Sequence, residues 1–164
     1  MQESGDEQRE VRRPLHSKLL LEEMHTAQQT SSNTDLNLKI DADGVDVHRP
    51  IIAAASSYFL ELFMADGTTA VSANILPIKG VNLVSLITAV NYMYTGTCPI
   101  STDTVTGLLT CSSLLRLDDV VSACVDCMGE NISVQTSVKY LHIAKQHHLA
   151  PIVHKALQIG RAHV

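Results

Sequence analysis

The sequence predicts an α+β fold in which a small three-stranded sheet is wrapped by about five to six helices and followed by one further helix pair. Three observations predict it. Apolar residues alternate at Leu36, Leu38 and Ile40 and again at Val45 and Val47, the period of half-buried strands. From Leu83 onward they recur at helical spacing in several consecutive segments. The chain has 164 residues, 45% of them hydrophobic, which is enough to bury one core.

In chain order, residues 1–14 are expected to be a disordered polar tail, since charges of both signs are mixed there with no apolar segment. Leu15, Leu19, Leu20, Leu21 and Met24 then predict an apolar helix of three or four turns. Residues 26–34, reading TAQQTSSNT, carry side chains that compete with the backbone and predict a loop. A greasy helix on a polar leash can fold back on its own domain or lie on a second copy. Leu36 to Ile40 and Val45 to Val47 form a hairpin with its turn at Ala42-Asp43-Gly44. Pro50, suited to a helix start, opens IIAAASSYFLELFM, a buried helix or helix pair. Residues 66–74 read as a loop, and Leu76 and Ile78 flank Pro77 in a short strand confined to a sheet edge.

The next helix carries Leu83, Leu86, Ile87, Val90 and Met93 inward and stops at Gly96. Val105, Leu108, Leu109 and Leu115 mark another. Asp118 is expected to cap a third, ending at Gly129, with Val120, Val121, Cys124, Val125 and Met128 inward. Ser133 is expected to cap a fourth with Val134, Val138, Leu141 and Ala144 inward, and Leu149 to Leu157 forms a fifth that Gly160 closes.

Composition excludes several classes of function. Twelve Lys and Arg against seventeen Asp and Glu give a net charge of −5, the wrong sign for neutralising phosphates, so nucleic acid is not an expected partner. With four Tyr, two Phe and no Trp the chain lacks the rings for a base-stacking platform. No apolar run is long enough for a bilayer span or a secretory signal, so no membrane partner is expected. Cys98, Cys111, Cys124 and Cys127 are therefore expected to be reduced, in a cytoplasmic or also nuclear protein. The charged fraction of 18% is below the roughly 25% typical of soluble domains, which suggests apolar area covered by a partner.

Chemistry finds few candidates. Cys124-x2-Cys127 followed by His142-x4-His147 matches the spacing of a zinc site. Both cysteines fall on one apolar helix without a knuckle glycine, however, so core thiols are expected and neither a metal nor a cofactor. A thiolate paired with His147 or His148 is disfavoured because apolar burial raises a thiol pKa. No nucleophile elbow and no phosphate-binding glycine loop exists, so no catalytic residue is assigned and no enzyme is expected. His16, His25, His154 and His163 read as solvated.

The stretch from Asp35 to Phe63, with His48, Ala54, Ala55, Ser56, Tyr58 and Phe59 in place, resembles the opening of the BTB/POZ domain. Tyr92-x-Tyr94-Thr95-Gly96 resembles that family's Y-x-Y-T-G signature, and LLTCSSLLRLDDVVSAC resembles the segment that follows it. Residues 131–159, with Ala144 and His147, resemble the start of the BACK region of BTB-kelch proteins. The resemblance implies a BTB/POZ domain over 15–130, the first BACK-like helices over 131–160 and a tail at 161–164.

It also implies a homodimeric interaction module, pairing with itself or with related BTB-kelch chains. The dimer interface would use Leu15, Leu19, Leu20 and Met24 on the N-terminal helix, with Asp35 and Arg49 forming a charged pocket at its base. BTB-kelch proteins serve as substrate adaptors of ubiquitin ligases built on cullin-3. The implied cullin-binding residues here are Tyr58, Met64, Ala65, Asp66, Thr68, Thr69, Tyr92 and Leu141. Two departures follow. The loop Ala65-Asp66-Gly67-Thr68-Thr69-Ala70 lacks the hydrophobic residue and Glu usual for that contact, and no kelch repeats follow the BACK-like segment. The alternative is therefore a short form that only dimerises with longer relatives, without binding cullin.

Overall fold

The computed structural model describes residues 10–65 and 73–162, and the expected loop at 66–74 lies largely outside them. The hairpin forms at β1 (Leu36–Ile40) and β2 (Asp43–Val47), paired antiparallel with Leu36 opposite Val47 and Leu38 opposite Val45. The turn lies one residue earlier than the glycine suggested. Asp41 adopts φ 48 and with Ala42 makes the corner, because aspartate tolerates the left-handed region and Asp43 and Gly44 are needed to complete the ladder. Leu36, Leu38, Ile40, Val45 and Val47 all point into the core. Each contributes roughly 1.5–3 kcal/mol on burial, so a one-residue slip that turned them to solvent would be prohibitive and the register is fixed. On the outer face Asn37 Nδ2 donates to Asp46 Oδ1 at 2.9 Å across the pair. β3 (Ile75–Pro77) adds to β1 in parallel, giving the order β2-β1-β3 with Pro77 on an edge as expected.

Helix α1 (His16–Gln29) is longer than the sequence suggested, running through residues 26–29 of the expected loop. Thr26 and Thr30 turn their hydroxyls back onto carbonyls at Glu22 and Thr26, so side chains that usually compete with a helix are absorbed by it. Pro50 falls in the first turn of α2 (Arg49–Ala55), and the apolar run breaks at Ser56 into α3 (Ser57–Met64). Ser56 is extended and buried; its hydroxyl donates to the Leu115 carbonyl at 2.6 Å and accepts the Phe59 amide at 3.4 Å.

Helix α4 (Leu83–Thr95) is capped by Asn82 and ends at Gly96 with φ 72, the left-handed conformation that glycine adopts without a Cβ clash. α5 (Val105–Leu114) follows. α6 (Asp118–Glu130) takes Leu117 as its cap position, so Asp118 and Asp119 sit in the first turn, where their charge complements the helix dipole, and the helix passes Gly129 to end at Glu130. α7 (Val134–Gln146) opens on a capping box in which Ser133 and Thr136 satisfy each other's backbone amides. α8 (Ala150–Ala162) continues through Gly160 and takes in Arg161, which had been expected in a tail.

The buried face of α7 departs from expectation. Ser137, Tyr140 and Ala144 are buried, while Val134 and Val138 are exposed and Leu141 is half-buried. Tyr140 wins the inward position because its ring offers more apolar area than a valine. Tyr140, Ala144 and Ile152 join the same hydrophobic cluster as the sheet and α4 to α6, so the last helix pair packs onto one continuous core.

Candidate functional site

Helix α1 is divided along its length. Its C-terminal half is fastened to its own domain: His25 Nε2 lies 3.0 Å from Asn91 Oδ1 of α4, Gln28 Nε2 donates to the Asp46 carbonyl at 2.9 Å, and Met24 packs against the core. Just beyond the helix, Ser31 donates to Asp46 Oδ2 at 2.7 Å. Hydrogen bonds from Asn37 and Ser31 hold the Asp46 carboxyl below the usual carboxylate range. His25, expected to be solvated, is half-buried, with its ring 5.7 Å from that of Tyr94. Among the described residues the N-terminal half has no such fastening. Leu15, Leu19, Leu20 and Leu21 are exposed, Leu20 at 55% and Leu15 at 67%. Leu15 at the N-cap position and Leu19, Leu20 and Leu21 in the helix surround the start of α1 with apolar surface whose burial elsewhere would be favourable.

Asp35 and Arg49 are adjacent, but the contact between them runs through the backbone. Asp35 Oδ1 accepts the Arg49 N–H at 2.8 Å, so an exposed carboxylate caps the start of α2. The guanidinium lies over the Phe63 ring, 5.6 Å from its centroid, and donates to the Ala73 carbonyl. In the single chain, Asp35 thus serves the start of α2 through the Arg49 backbone amide.

The residues considered for cullin binding stand on three helices. Tyr58 is half-buried on α3, packed edge-on against Phe59 with centroids 5.2 Å apart. Met64 is 73% exposed at the end of α3, followed by exposed Ala65. Tyr92 stands on α4 beside Asp119 of α6; burial, then that carboxylate's charge, pushes its hydroxyl pKa up. Leu141 lies half-buried on α7. Asp66, Thr68 and Thr69 lie outside the described residues. Sequence reading missed exposed Leu60 on α3, and Val138 on α7, expected to face inward, is 77% exposed. Helix α3 is fixed to the α5–α6 corner by the Ser56 hydroxyl and by Arg116 Nη1, 2.6 Å from Glu61 Oε2.

The thiols are placed for packing. Cys111 and Cys124 are buried, and burial pushes both up to about 12, far from a nucleophilic or metal-binding thiolate. His147 lies 3.4 Å from the Thr110 hydroxyl, and His154 Nε2 is 2.9 Å from Gln158 Nε2. Among the described residues no three His, Cys, Asp or Glu side chains converge as a metal-holding group, and no helix is long and apolar enough to cross a membrane.

A small sheet is wrapped by helices, and most of the exposed large apolar side chains among the described residues lie on helix surfaces. A BTB/POZ domain profile matches residues 24–132, and the chain belongs to that family, whose members are interaction modules rather than enzymes. It is 29% identical over 133 residues to human Kelch-like protein 6, covering 81% of this chain and 21% of that protein. It is 26% identical over 151 residues to zebrafish (Danio rerio) Kelch repeat and BTB domain-containing protein 12, covering 92% of this chain and 24% of that protein. The chain thus spans about a fifth to a quarter of the length of these curated relatives. The BTB domain of zebrafish PATZ1 superposes with a TM-score of 0.66 at 16% identity, covering 76% of this chain and all of that domain, a likeness of fold.

Proposed function

We propose that the chain is a homodimerising adaptor module of the kelch-like type, which joins a second BTB chain through α1 and the N-terminal domain of cullin-3 through α3, α4 and α7. The observation that carries this reading is the two-part α1. A helix whose inner half is clamped by His25, Gln28 and Met24 holds Leu15, Leu19, Leu20 and Leu21 exposed around its N-terminal end. Preorganisation reduces the ordering cost of association, which suits such a surface to a partner rather than to open solvent. A second copy of the same helix is a self-complementary occupant.

The adaptor part of the reading is supported by the kelch-like relatives and by Leu60, Met64 and Val138, exposed apolar residues of the kind that anchor a helical partner. The competing reading, a module that dimerises with kelch-like chains without engaging cullin, is favoured by the absence of a hydrophobic-x-Glu sequence in residues 65–70. Calorimetric titration of the cullin-3 N-terminal domain into this chain separates the two. Heat with one cullin bound per chain, lost in Met64→Asp, is the expected result. No heat from folded protein at micromolar concentration supports the dimer-only reading.

A further inference from the structure

The corner where β2 turns into α2 holds a buried histidine with every polar atom engaged. His48 is 5% exposed. Its backbone N–H donates to the Tyr94 hydroxyl at 2.9 Å, its Nδ1 lies 2.7 Å from the same hydroxyl, and its Nε2 lies 3.0 Å from the Ser32 carbonyl. A carbonyl only accepts, so Nε2 carries a proton. The Tyr94 oxygen accepts the backbone N–H, so its own proton goes to Nδ1. This arrangement has room for one ring proton. A second, on Nδ1, would set N–H against O–H, and the Tyr94 proton would have no other acceptor among the described residues at a side chain that is itself buried.

Ser32 belongs to the connection between α1 and β1, next to the Ser31 and Gln28 contacts that fasten α1. We propose that His48 is a proton-operated latch on α1: a second ring proton sets Nδ1 against the Tyr94 hydroxyl and turns the ring out of its corner, which carries Nε2 away from the Ser32 carbonyl and loosens the C-terminal half of the helix. Only the consequence for assembly rests on the dimer reading above; the latch acts within one chain.

The charged and titratable groups around it come from each packed element. α1 contributes His25, whose ring flanks Tyr94; Nε2 there can donate to Asn91 Oδ1 whether or not the ring is charged, so its protonation leaves that bond intact. β1 is preceded by Asp35, whose charge bears on Tyr94, and α2 begins with Arg49. Asp46 of β2, under Ser31, is held below the usual carboxylate range and stays ionised where histidines titrate.

The test is hydrogen exchange of the amides of residues 24–32, corrected for intrinsic rate, between about pH 7.5 and about pH 5.5, with sedimentation velocity on the same samples. Protection is expected to fall with pH, by up to about tenfold per unit for one coupled proton. The slope should persist in His25→Gln and vanish in His48→Gln, which keeps an N–H for the Ser32 carbonyl and cannot titrate. Protection that ignores pH, or a slope that survives in His48→Gln, overturns the proposal. Should His48→Gln not fold, ring nitrogen NMR of His48 in the unaltered chain takes its place. A ring that charges in step with lost protection supports the latch, and one that charges without it overturns the latch. A chain that sediments as a monomer throughout while protection still follows pH keeps the latch and removes the dimer reading.

Discussion

Ser56 does two things at once: it ends α2 and starts α3, and its hydroxyl reaches the Leu115 carbonyl across the core. Ser56→Ala removes a cap and orphans a buried acceptor, so unfolding free energy should fall by about 1–3 kcal/mol in a denaturant titration. Tyr140 presents the opposite case. Its ring is fully buried and its hydroxyl is a buried polar atom with no hydrogen-bond partner among the described residues. Tyr140→Phe deletes that desolvated group while keeping the ring, and should leave the denaturation midpoint unchanged or raise stability by about 1 kcal/mol. A loss comparable to that of Ser56→Ala would mean that the hydroxyl is bonded. Asp46 sets a pH limit. Its folded pKa is depressed below 3.8 by Asn37 and Ser31, so its contribution is complete above the ordinary carboxylate value and is lost as pH falls through the lower folded value. In Asp46→Ala the melting temperature should therefore fall less steeply below about pH 4 than in the unaltered chain.

Elements with one dominant signal were legible in the sequence; elements with two competing signals were not. The hairpin strands, the Leu83 to Gly96 helix and the Ser133 cap each follow from a strict period or a terminal residue with one use. Helix α1 ran past its expected end because Thr26 and Thr30 satisfy their hydroxyls within the helix, a choice composition cannot reveal. Helix α7 carries two apolar stripes, Val134/Val138/Leu141 and Tyr140/Ala144, and only the space left by α5 and α6 decides which turns inward. The same limit applies to the site. The exposed leucines of α1 were legible, whereas the His25–Asn91 and His48–Tyr94 contacts join residues 66 and 46 positions apart and needed the fold. Because Val138 faces solvent, Val138→Ser should leave the melting temperature within a degree or two while weakening any partner that covers α7. A large drop in melting temperature would place Val138 in the core instead.

At the scale of the molecule, one continuous core carries two sets of exposed apolar side chains, at the start of α1 and on α3 and α7; the proposed function gives the first to a second chain and the second to a further partner. The low charged fraction fits a domain that covers part of its exterior in use. The proposed dimer is made by the exposed leucines at the start of α1. Leu20→Asp tests it with little risk to the fold, since Leu20 is 55% exposed and makes no part of the core, unlike Met24, which packs against it. The direct measurement is sedimentation equilibrium of the unaltered chain beside Leu20→Asp, with far-ultraviolet circular dichroism on both. Twice the chain mass of 17.8 kDa is expected for the first and the single chain mass, with an unchanged spectrum, for the second. An unaltered chain that sediments at one chain mass at tens of micromolar, or a Leu20→Asp variant that remains a dimer of undiminished affinity, would contradict the proposed dimer.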